Sequence, residues 1–573
     1  MQNIKVRLQK VLPEMESLVE ILADEEEGKD HKVQDITSEP VPTHEDQGEE
    51  DQGEEEPPIP FTPIDEAIDH YHKHIPSASL KTWHDNLRSF AKHTTRAGHI
   101  VPFGSACTGT DIFAKVMEKL FLYWRLSFGV SVGHLQSVLH CEINVAKQHF
   151  LCAEFDVALM VPDCEMFHDK KVYNTVTGDD ELLPETSLYG SGFCCTDLSK
   201  MNSQRKKNVN NVRDKKGKTG TTLEANMHYI ETRRPPVSIL ECVPEMENAH
   251  EDDDGSKLDS DSDKVVARLE AQQFTVVIVR FKCSRYGSRA ERDRWYAAVI
   301  DADPTRWKPR IMSNFNDVFC SITMDMMPIE RFLLSEEEML EWCDDGKYVK
   351  RGRASRVLAE PDWTVDHEQL YLLQKLQWPP TDPEYKTIFE NFGREREAEL
   401  VHIANKIFPE TEVRRTTFFD CNHAANRVLK PDDQTSSEDK EVKLKLRNPW
   451  REHVPTLTCQ SSIAMRTLLE DGSCTITRLH GLEVMQLIGW DKSMYRASRP
   501  PWQHATPELL ADMAGNAWSG FAIAPLMTAL AGAVPWAEIE GVLLNMRAYL
   551  SMSSCEVRGL VGIERCLAVL DTF

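Results

Sequence analysis

The sequence predicts an α/β fold built on a mostly parallel sheet for residues 100–301, and three observations carry that reading. Short β-rich runs recur at 137–141, 157–161, 236–240, 274–281 and 294–300, with helical or loop segments between them. A helix over 110–126 puts Ile112, Phe113, Val116, Met117, Leu120 and Trp124 on one face. Strand–helix alternation of this kind covers both faces of a sheet, which favours parallel strands. Ligands of such sheets bind at the carboxyl ends of the strands.

The flanking elements follow in order. Residues 1–27 read as an amphipathic helix, with Ile4, Leu8, Val11, Leu12, Met15, Val19 and Leu22 near helical spacing, suited to packing or to a protein partner. From 24 to 63 the chain is rich in Glu, Asp, Gln and Pro, a composition expected to be disordered. Residues 1–65 hold 19 acidic and 5 basic side chains, a net −14 of the chain's −26, so bulk acidity says little about what the rest binds. Residues 66–98 form a helical lead-in with Leu80, Trp83, Leu87 and Phe90 on one face; His70, His72 and His74 before it read as a solvated polar stretch rather than a metal site.

From 302 to 456 the alternation is lost, and helices at 335–342, 365–378 and 383–407 precede a polar irregular segment, read as a separate inserted domain. Residues 457–573 are expected to return to the first domain through helices over 475–490 and 509–533. The uncharged run 513–537 contains Asn516, Ser519, Pro525 and Pro535, so it reads as buried core rather than a membrane span. The acidic stretch 251–264 reads as a surface loop. Fifteen cysteines include no CxxC pair, which argues against a zinc ribbon. No apolar run with a basic flank opens the chain, so no secretory signal and a reducing compartment are expected.

Four segments carry candidate chemistry. Gly104-Ser105-Ala106-Cys107-Thr108-Gly109 lies between an apolar run and a helix, where small residues let backbone approach a ligand. Glu142 ends the next strand, placed to bond a ribose hydroxyl, so the pair suggests a nucleoside-type cofactor. Ser191-Gly192-Phe193-Cys194-Cys195-Thr196-Asp197 is followed by residues 200–234, with ten basic and three acidic side chains. That cluster, with Arg205, Lys206, Lys207, Arg213, Lys215, Lys216 and Lys218, suits a polyanion and is expected to favour the thiolate. Glu241 ends an apolar strand as a candidate acid, and Arg292 and Arg294 share one face of another strand.

In this order the motifs resemble the cytosine-5 DNA methyltransferase family. Its Pro-Cys-Gln loop is similar to Cys194-Cys195-Thr196, its Glu-Asn-Val to Glu241-Cys242-Val243, and its Gln-x-Arg-x-Arg to Ala290-Glu291-Arg292-Asp293-Arg294. Arg478-Leu479, Glu483 and Gly489-Trp490 resemble the ninth motif, and Gly515-Asn516-Ala517 the Gly-Asn motif that closes the cofactor pocket. The Phe-x-Gly-x-Gly loop aligns on Ser105 to Gly109, with Cys107 in place of the first glycine. The resemblance covers residues 101–534. It implies a Rossmann-like class I methyltransferase domain at 99–301, a target-recognition domain at 302–456 and S-adenosylmethionine as cofactor, with no metal.

It also implies roles. Cys195 adds to carbon 6 of a flipped cytosine in duplex DNA, Glu241 serves ring nitrogen 3, and Arg292 and Arg294 steady the base. Ser105, Ala106, Cys107, Gly109, Glu142, Asp163 and Asn516 hold the cofactor. RNA is an alternative substrate, because a similar branch methylates transfer RNA. A non-catalytic adaptor is the alternative of another class, and retention of both Cys195 and Glu241 argues against it. Nuclear location follows from the DNA substrate alone, and no membrane contact is expected.

The acidic segment up to Asp65 should repel nucleic acid, so deleting it should strengthen DNA binding, most visibly at low salt. Unchanged or weaker binding in a salt titration contradicts an inhibitory tail.

Overall fold

A computed structural model of the chain describes residues 62–199, 212–251, 257–335, 337–338, 363–392, 394–408, 416–421, 425–429, 442–446, 450–458, 461–495 and 505–539. The helix expected over 1–27 lies outside them, as does nearly all of the segment expected to be disordered. Thr62 and Asp65 belong to the ordered part. They form the capping box of α1 (Pro63–Lys73), and Asp65 pairs with Lys119 at 2.7 Å, so a clean removal of the tail ends before them.

The central sheet has seven strands: β1 (Ile100–Ala106), β2 (His134–Cys141), β3 (Met160–Val161), β4 (Leu188–Ser191), β5 (Val237–Cys242), β6 (Thr275–Lys282) and β7 (Asp293–Ile300). Their spatial order is β6-β7-β5-β4-β1-β2-β3. All the β1–β5 pairings are parallel, and β7 runs antiparallel to both of its neighbours. That order, with one antiparallel strand slotted between the fifth and sixth, is the class I methyltransferase arrangement the sequence predicts. The chain leaves β1 toward β2 and β3, then returns to the other side of β1 as β4. The crevice of a doubly wound sheet opens at such a reversal, here between the ends of β1 and β4.

The five expected strands are present. Two more, β1 and β4, lie at the centre and carry little β-branched character: Pro102, Gly104 and Ser105 in one, Gly190 and Ser191 in the other. Gly190 is required by packing, because a Cβ there would sit 2.6 Å from Phe113 on α3 (Ile112–Phe128).

Several expected boundaries shift. Helix α1 and helix α2 (Ser77–Thr94) are built into the main core. Trp83 donates from Nε1 to the carbonyl of Thr528 at 2.8 Å, and Tyr71 donates to the carbonyl of Tyr286 at 2.5 Å. His72 is not solvated. Its ring is buried, accepts the Trp124 indole N–H at 2.8 Å, and burial lowers its pKa to about 4. Lys264 and the buried Asp261 lie in α6 (Asp261–Ala271) rather than a surface loop, while 252–256 are outside the described residues. Between them in sequence come α4 (Val145–Glu154) and α5 (Gly217–Arg233).

The insert expected at 302–456 divides differently. Helix α7 (Pro304–Phe319) and the segment through Phe332 join the main core. A second apolar cluster is built from α8 (Trp363–Leu373), α9 (Pro383–Phe392), α10 (Glu395–Ile407) and a sheet of β8 (Thr416–Asp420), β9 (Ile463–Leu468) and β10 (Cys474–Arg478). The single helices expected over 383–407 and 475–490 are therefore two helices in one case and β10 followed by α11 (Gly481–Leu487) in the other. Thr475 and Ile476 favour the strand that pairs with β9, which overrides the apolar period. The helix expected over 509–533 is likewise two, α12 (Pro507–Asn516) and α13 (Gly520–Ala533), and every residue of α13 is buried. Among the described residues no helix is long and apolar enough to cross a membrane.

Gly532 on α13 leaves the space that the Trp83 indole fills. Trp83→Ala should therefore lower unfolding free energy by about 3–5 kcal/mol, read by chemical denaturation. A loss under about 1 kcal/mol would separate the lead-in helices from the cooperative unit.

Candidate active site

The carboxyl ends of the strands are aligned. Ala106 is registered with Cys141 on one side and Ser191 on the other, Cys141 with Val161, and Ser191 with Leu240. The residues that follow, Cys107, Glu142, Asp163, Gly192 and Glu241, therefore gather along one edge of the sheet.

On one side lies a crevice with two carboxylates. Glu142 follows β2 and takes the Asn144 N–H on Oε1 at 2.8 Å; burial raises its pKa. Asp163 follows β3 and caps a short 3-10 turn through the Glu165 N–H at 2.9 Å. The loop after β1 uses left-handed backbone at Cys107 (φ 57°) and Gly109 (φ 74°). Gly109 is needed there, because a Cβ would meet the backbone of Asn516 and Ala517 at 3.0–3.1 Å. Asn516, exposed at the end of α12, is thus brought against the loop, as the sequence predicts for the cofactor side.

Ser105 and Ala106 are placed otherwise. Ala106 is core, and Ser105 donates to Asp111 Oδ2 at 2.8 Å, with His140 Nδ1 2.9 Å from the same oxygen. Serine, histidine and aspartate converge, yet all three are sealed from solvent and Asp111 is the hub. The cluster is a latch between β1, β2 and the turn, and no nucleophile is presented. What this loop offers a ligand is backbone N–H.

On the other side lies the loop carrying Cys195. It is fastened to the start of α5 by a reciprocal pair, in which Thr219 N–H donates to Asp197 Oδ2 at 3.0 Å and Asp197 N–H to Thr219 Oγ1 at 3.1 Å. Cys194 N–H donates to Thr222 Oγ1, and the N–H groups of Leu198 and Ser199 return to the Cys195 carbonyl. Glu241, near the end of β5, lies 2.9 Å from Arg294 Nε across the β5–β7 pairing. Glu241 Oε1 makes no directed hydrogen bond, so the carboxylate is held by charge with bonding capacity left.

The thiolate expected from the basic cluster is not found. Burial first, then the Glu241 charge, push the Cys195 thiol up to about 11, against the weaker pull of Arg294 and Arg292. Among the described members of the cluster, Arg213 lies 3.7 Å from Asp261, Lys215 pairs with Glu224 at 2.9 Å and Lys216 lies near Asp214. Their charges are spent locally. Residues 200–211 lie outside the described residues.

Arg292 is also corrected. Its guanidinium is buried and bonds the carbonyls of Gly515 and Ala517. It fixes the break between α12 and α13, where the Trp518 indole stacks on Phe113 (5.4 Å, 24°) and meets Tyr296 edge-on at 5.9 Å. A Cβ at Gly192 would lie 2.6 Å from Trp518 Nε1. One aromatic ring thereby lies against both the loop carrying Cys195 and helix α3. The motif ended at Ala517; a large aromatic beside a Gly-Asn pair was the available signal.

No family model matches the chain. A curated relative, DNA (cytosine-5-)-methyltransferase DMT5 of Cryptococcus neoformans var. grubii, is 21% identical over 146 residues, 26% of this chain and 6% of that protein. The matched part thus spans a small fraction of the relative's length. Similar solved structures include the Entamoeba histolytica methyltransferase EhMeth (11% identity, 75% of this chain and 97% of that one, TM-score 0.36). Others are S. pombe Dnmt2 methyltransferase (9%, 75% and 98%, 0.33) and a putative DNA modification methyltransferase encoded within an E. coli prophage (12%, 75% and 99%, 0.36). The fold assignment rests on the sheet's own strand order.

Only the thiolate alkylates, so the raised Cys195 value has a measurable sign. In the free protein, iodoacetamide labelling of Cys195 should rise about tenfold per pH unit from about 7 to 10 without levelling, read by peptide mass spectrometry. A plateau near pH 8 would show an activated resting thiol instead.

Proposed function

We propose that the chain is a cytosine-5 methyltransferase acting on DNA with S-adenosylmethionine, the reading that its motif resemblance to that family supports. The observation that carries it is the meeting of Cys195, Glu241 and Arg294 at the end of β4 and β5, one strand from a crevice edged by Glu142 and Asp163. A nucleophile next to a fixed carboxylate suits addition to an electron-poor ring. Two carboxylates beyond adjacent strands, with exposed Asn516 and backbone N–H groups at a helix start, suit ribose hydroxyls, a purine amino group and an amino-acid carboxylate. The donor set therefore fits the cofactor, with Glu142 on the ribose and Asp163 on the adenine. When bound, S-adenosylmethionine supplies an electrophilic methyl group.

Carbon 5 of cytosine is too weak a nucleophile to take that methyl unaided. Bond formation from Cys195 Sγ to carbon 6 removes the thiol proton while ring nitrogen 3 gains one. Glu241 is the group placed to relay it, so little net charge accumulates in the pocket. This coupling suits a thiol that rests neutral. Arg294 holds the Glu241 carboxylate in place. Loss of the carbon 5 proton after methyl transfer then expels Cys195. The target carbon is inaccessible in a duplex, so the base is flipped out, at a few kcal/mol. The second apolar cluster, with α8 to α10 and β8 to β10, is proposed as the target-reading part. A DNA substrate places the protein in the nucleus.

The test incubates the protein with methyl-labelled S-adenosylmethionine and, separately, duplex DNA or total RNA. Label should enter carbon 5 of cytosine in DNA. Cys195→Ala should abolish it, Cys194→Ala should only weaken it, and Glu241→Gln should lower kcat by about 10²–10⁴-fold. Label confined to RNA moves the substrate. Activity that survives Cys195→Ala but not Cys194→Ala moves the nucleophile by one residue.

A further inference from the structure

The second apolar cluster carries a group of donors that the chemistry proposed for Cys195 does not use. Asp382 precedes α9, Glu384 lies in its first turn, and His402 and Asn405 lie one turn apart on α10. One ligand atom each from Asp382, Glu384 and His402 falls within 4.8 Å of the others. The two carboxylates are partly exposed, a common surface arrangement. The buried members carry the argument.

His402 is 2% exposed. Its Nδ1 lies 2.8 Å from the Tyr371 hydroxyl, whose proton is directed at the Glu399 carbonyl at 3.3 Å. The hydroxyl oxygen therefore accepts from Nδ1–H, and the neutral ring carries its lone pair on Nε2. Burial lowers the His402 pKa, which favours that neutral ring. Nε2 lies 2.9 Å from Asp382 Oδ2 yet makes no directed hydrogen bond. Two electron pairs thus face each other. Their separation suits two ligands of one ion, each about 2.0–2.2 Å from it and near a right angle. Asn405, 7% exposed, donates from its amide to Glu384, which sets its Oδ1 beside the same carboxylate, and that oxygen has no hydrogen-bond partner. Buried acceptors without a donor are costly, and one cation satisfies both.

We propose that Asp382, Glu384 and His402, with Asn405 Oδ1 beside them, bind a divalent transition-metal ion of the zinc type that staples the start of α9 to α10. A ring nitrogen among the donors argues against magnesium and calcium, which take oxygen ligands. The other His402 nitrogen already has the hydrogen-bond partner that orients a ligating imidazole. Asp382 Oδ1 is committed to the Tyr385 N–H at 2.9 Å, which leaves Oδ2 for the ion. Lys406 is the competitor, paired with Glu384 Oε2 at 2.5 Å. The resemblance implies no metal in methyl transfer, and this ion takes no part in it. Its role is to hold a helix pair together.

The full chain is stripped with EDTA, dialysed and equilibrated with zinc sulfate, and bound zinc is counted by plasma mass spectrometry. Cysteines elsewhere also take zinc, so the deciding quantity is the difference between the native chain and the double variant Asp382→Asn/Glu384→Gln. Both side chains are partly exposed, and circular dichroism checks that the fold is kept. The double variant should hold one ion fewer per chain. With cobalt(II) as probe, the absorption lost in the variant should lack thiolate charge-transfer bands. Lys406→Met should bind the ion about two- to fivefold more tightly in chelator competition, and unchanged affinity overturns ligation by Glu384. Zinc should slow amide hydrogen exchange in α9 and α10 of the native chain alone. Equal zinc content in the two chains overturns the site, and lost zinc with unchanged exchange overturns the staple. No arm of the test depends on methyl transfer.

Discussion

The site depends on how the chain breaks between α12 and α13. Residues 517–519 leave the helical path, and Trp518 fills the gap over Gly190 and Gly192. Arg292, just before β7 and two positions before Arg294, holds the break by bonding the carbonyls of Gly515 and Ala517. Those carbonyls belong to a helix end, where acceptors lack intrahelical partners, and a guanidinium supplies several donors in one plane. Packing and hydrogen bonding thus act on the same five residues. They bring a segment more than 300 residues away in sequence against both loops at the switch point. A smaller residue at 518 would leave the space beside Gly190 empty, and a larger one at 190 or 192 would expel the ring.

Charge is arranged with the same economy. Arg292, one residue before β7, and Arg294, on it, do different things. Arg294 neutralises Glu241, whereas Arg292 is spent on backbone. The thiol beside them rests protonated because desolvation outweighs the two nearby cations. A buried thiolate would need a strong counter-charge, and Arg294 is already engaged by Glu241. The arrangement therefore favours the neutral Cys195 thiol in the free protein. Among the described basic residues after the loop, Lys215 and Lys216 sit in ion pairs of their own.

Much of this was legible in the sequence. Strands β5, β6 and β7 announce themselves through β-branched and aromatic residues, and the structure brings Cys195, Glu241 and Glu142 to one edge of the sheet, with Asn516 against the loop after β1. The central strands β1 and β4 do so less, because close approach by Thr186 at Gly104 and by Phe113 and Trp518 at Gly190 demands glycine where propensity asks for valine. Residues 475–478 carry an apolar period compatible with a helix, and only the pairing with β9 makes them a strand. Ser105 resembled a ligand contact because its neighbours are small, but a sequence cannot show that Asp111, six residues on, takes its hydroxyl. The same limit applies to Arg292. Its spacing from Arg294 reveals a shared face and conceals which partner each arginine meets.

The departures from the pattern of the family that the sequence resembles fall on both sides of the crevice. Cysteine stands where a glycine is expected at 107, and two further cysteines adjoin it from neighbouring strands. Glycine suits left-handed backbone without cost; a thiol there accepts about 1–2 kcal/mol of strain. The loop carrying Cys195 departs as well. It replaces proline and glutamine around Cys195 with Cys194 and Thr196, and it is fastened instead by the reciprocal Asp197–Thr219 pair. Rigidity lost from one residue type is recovered through hydrogen bonds to α5, so the loop is held in place by its neighbours rather than by its own backbone.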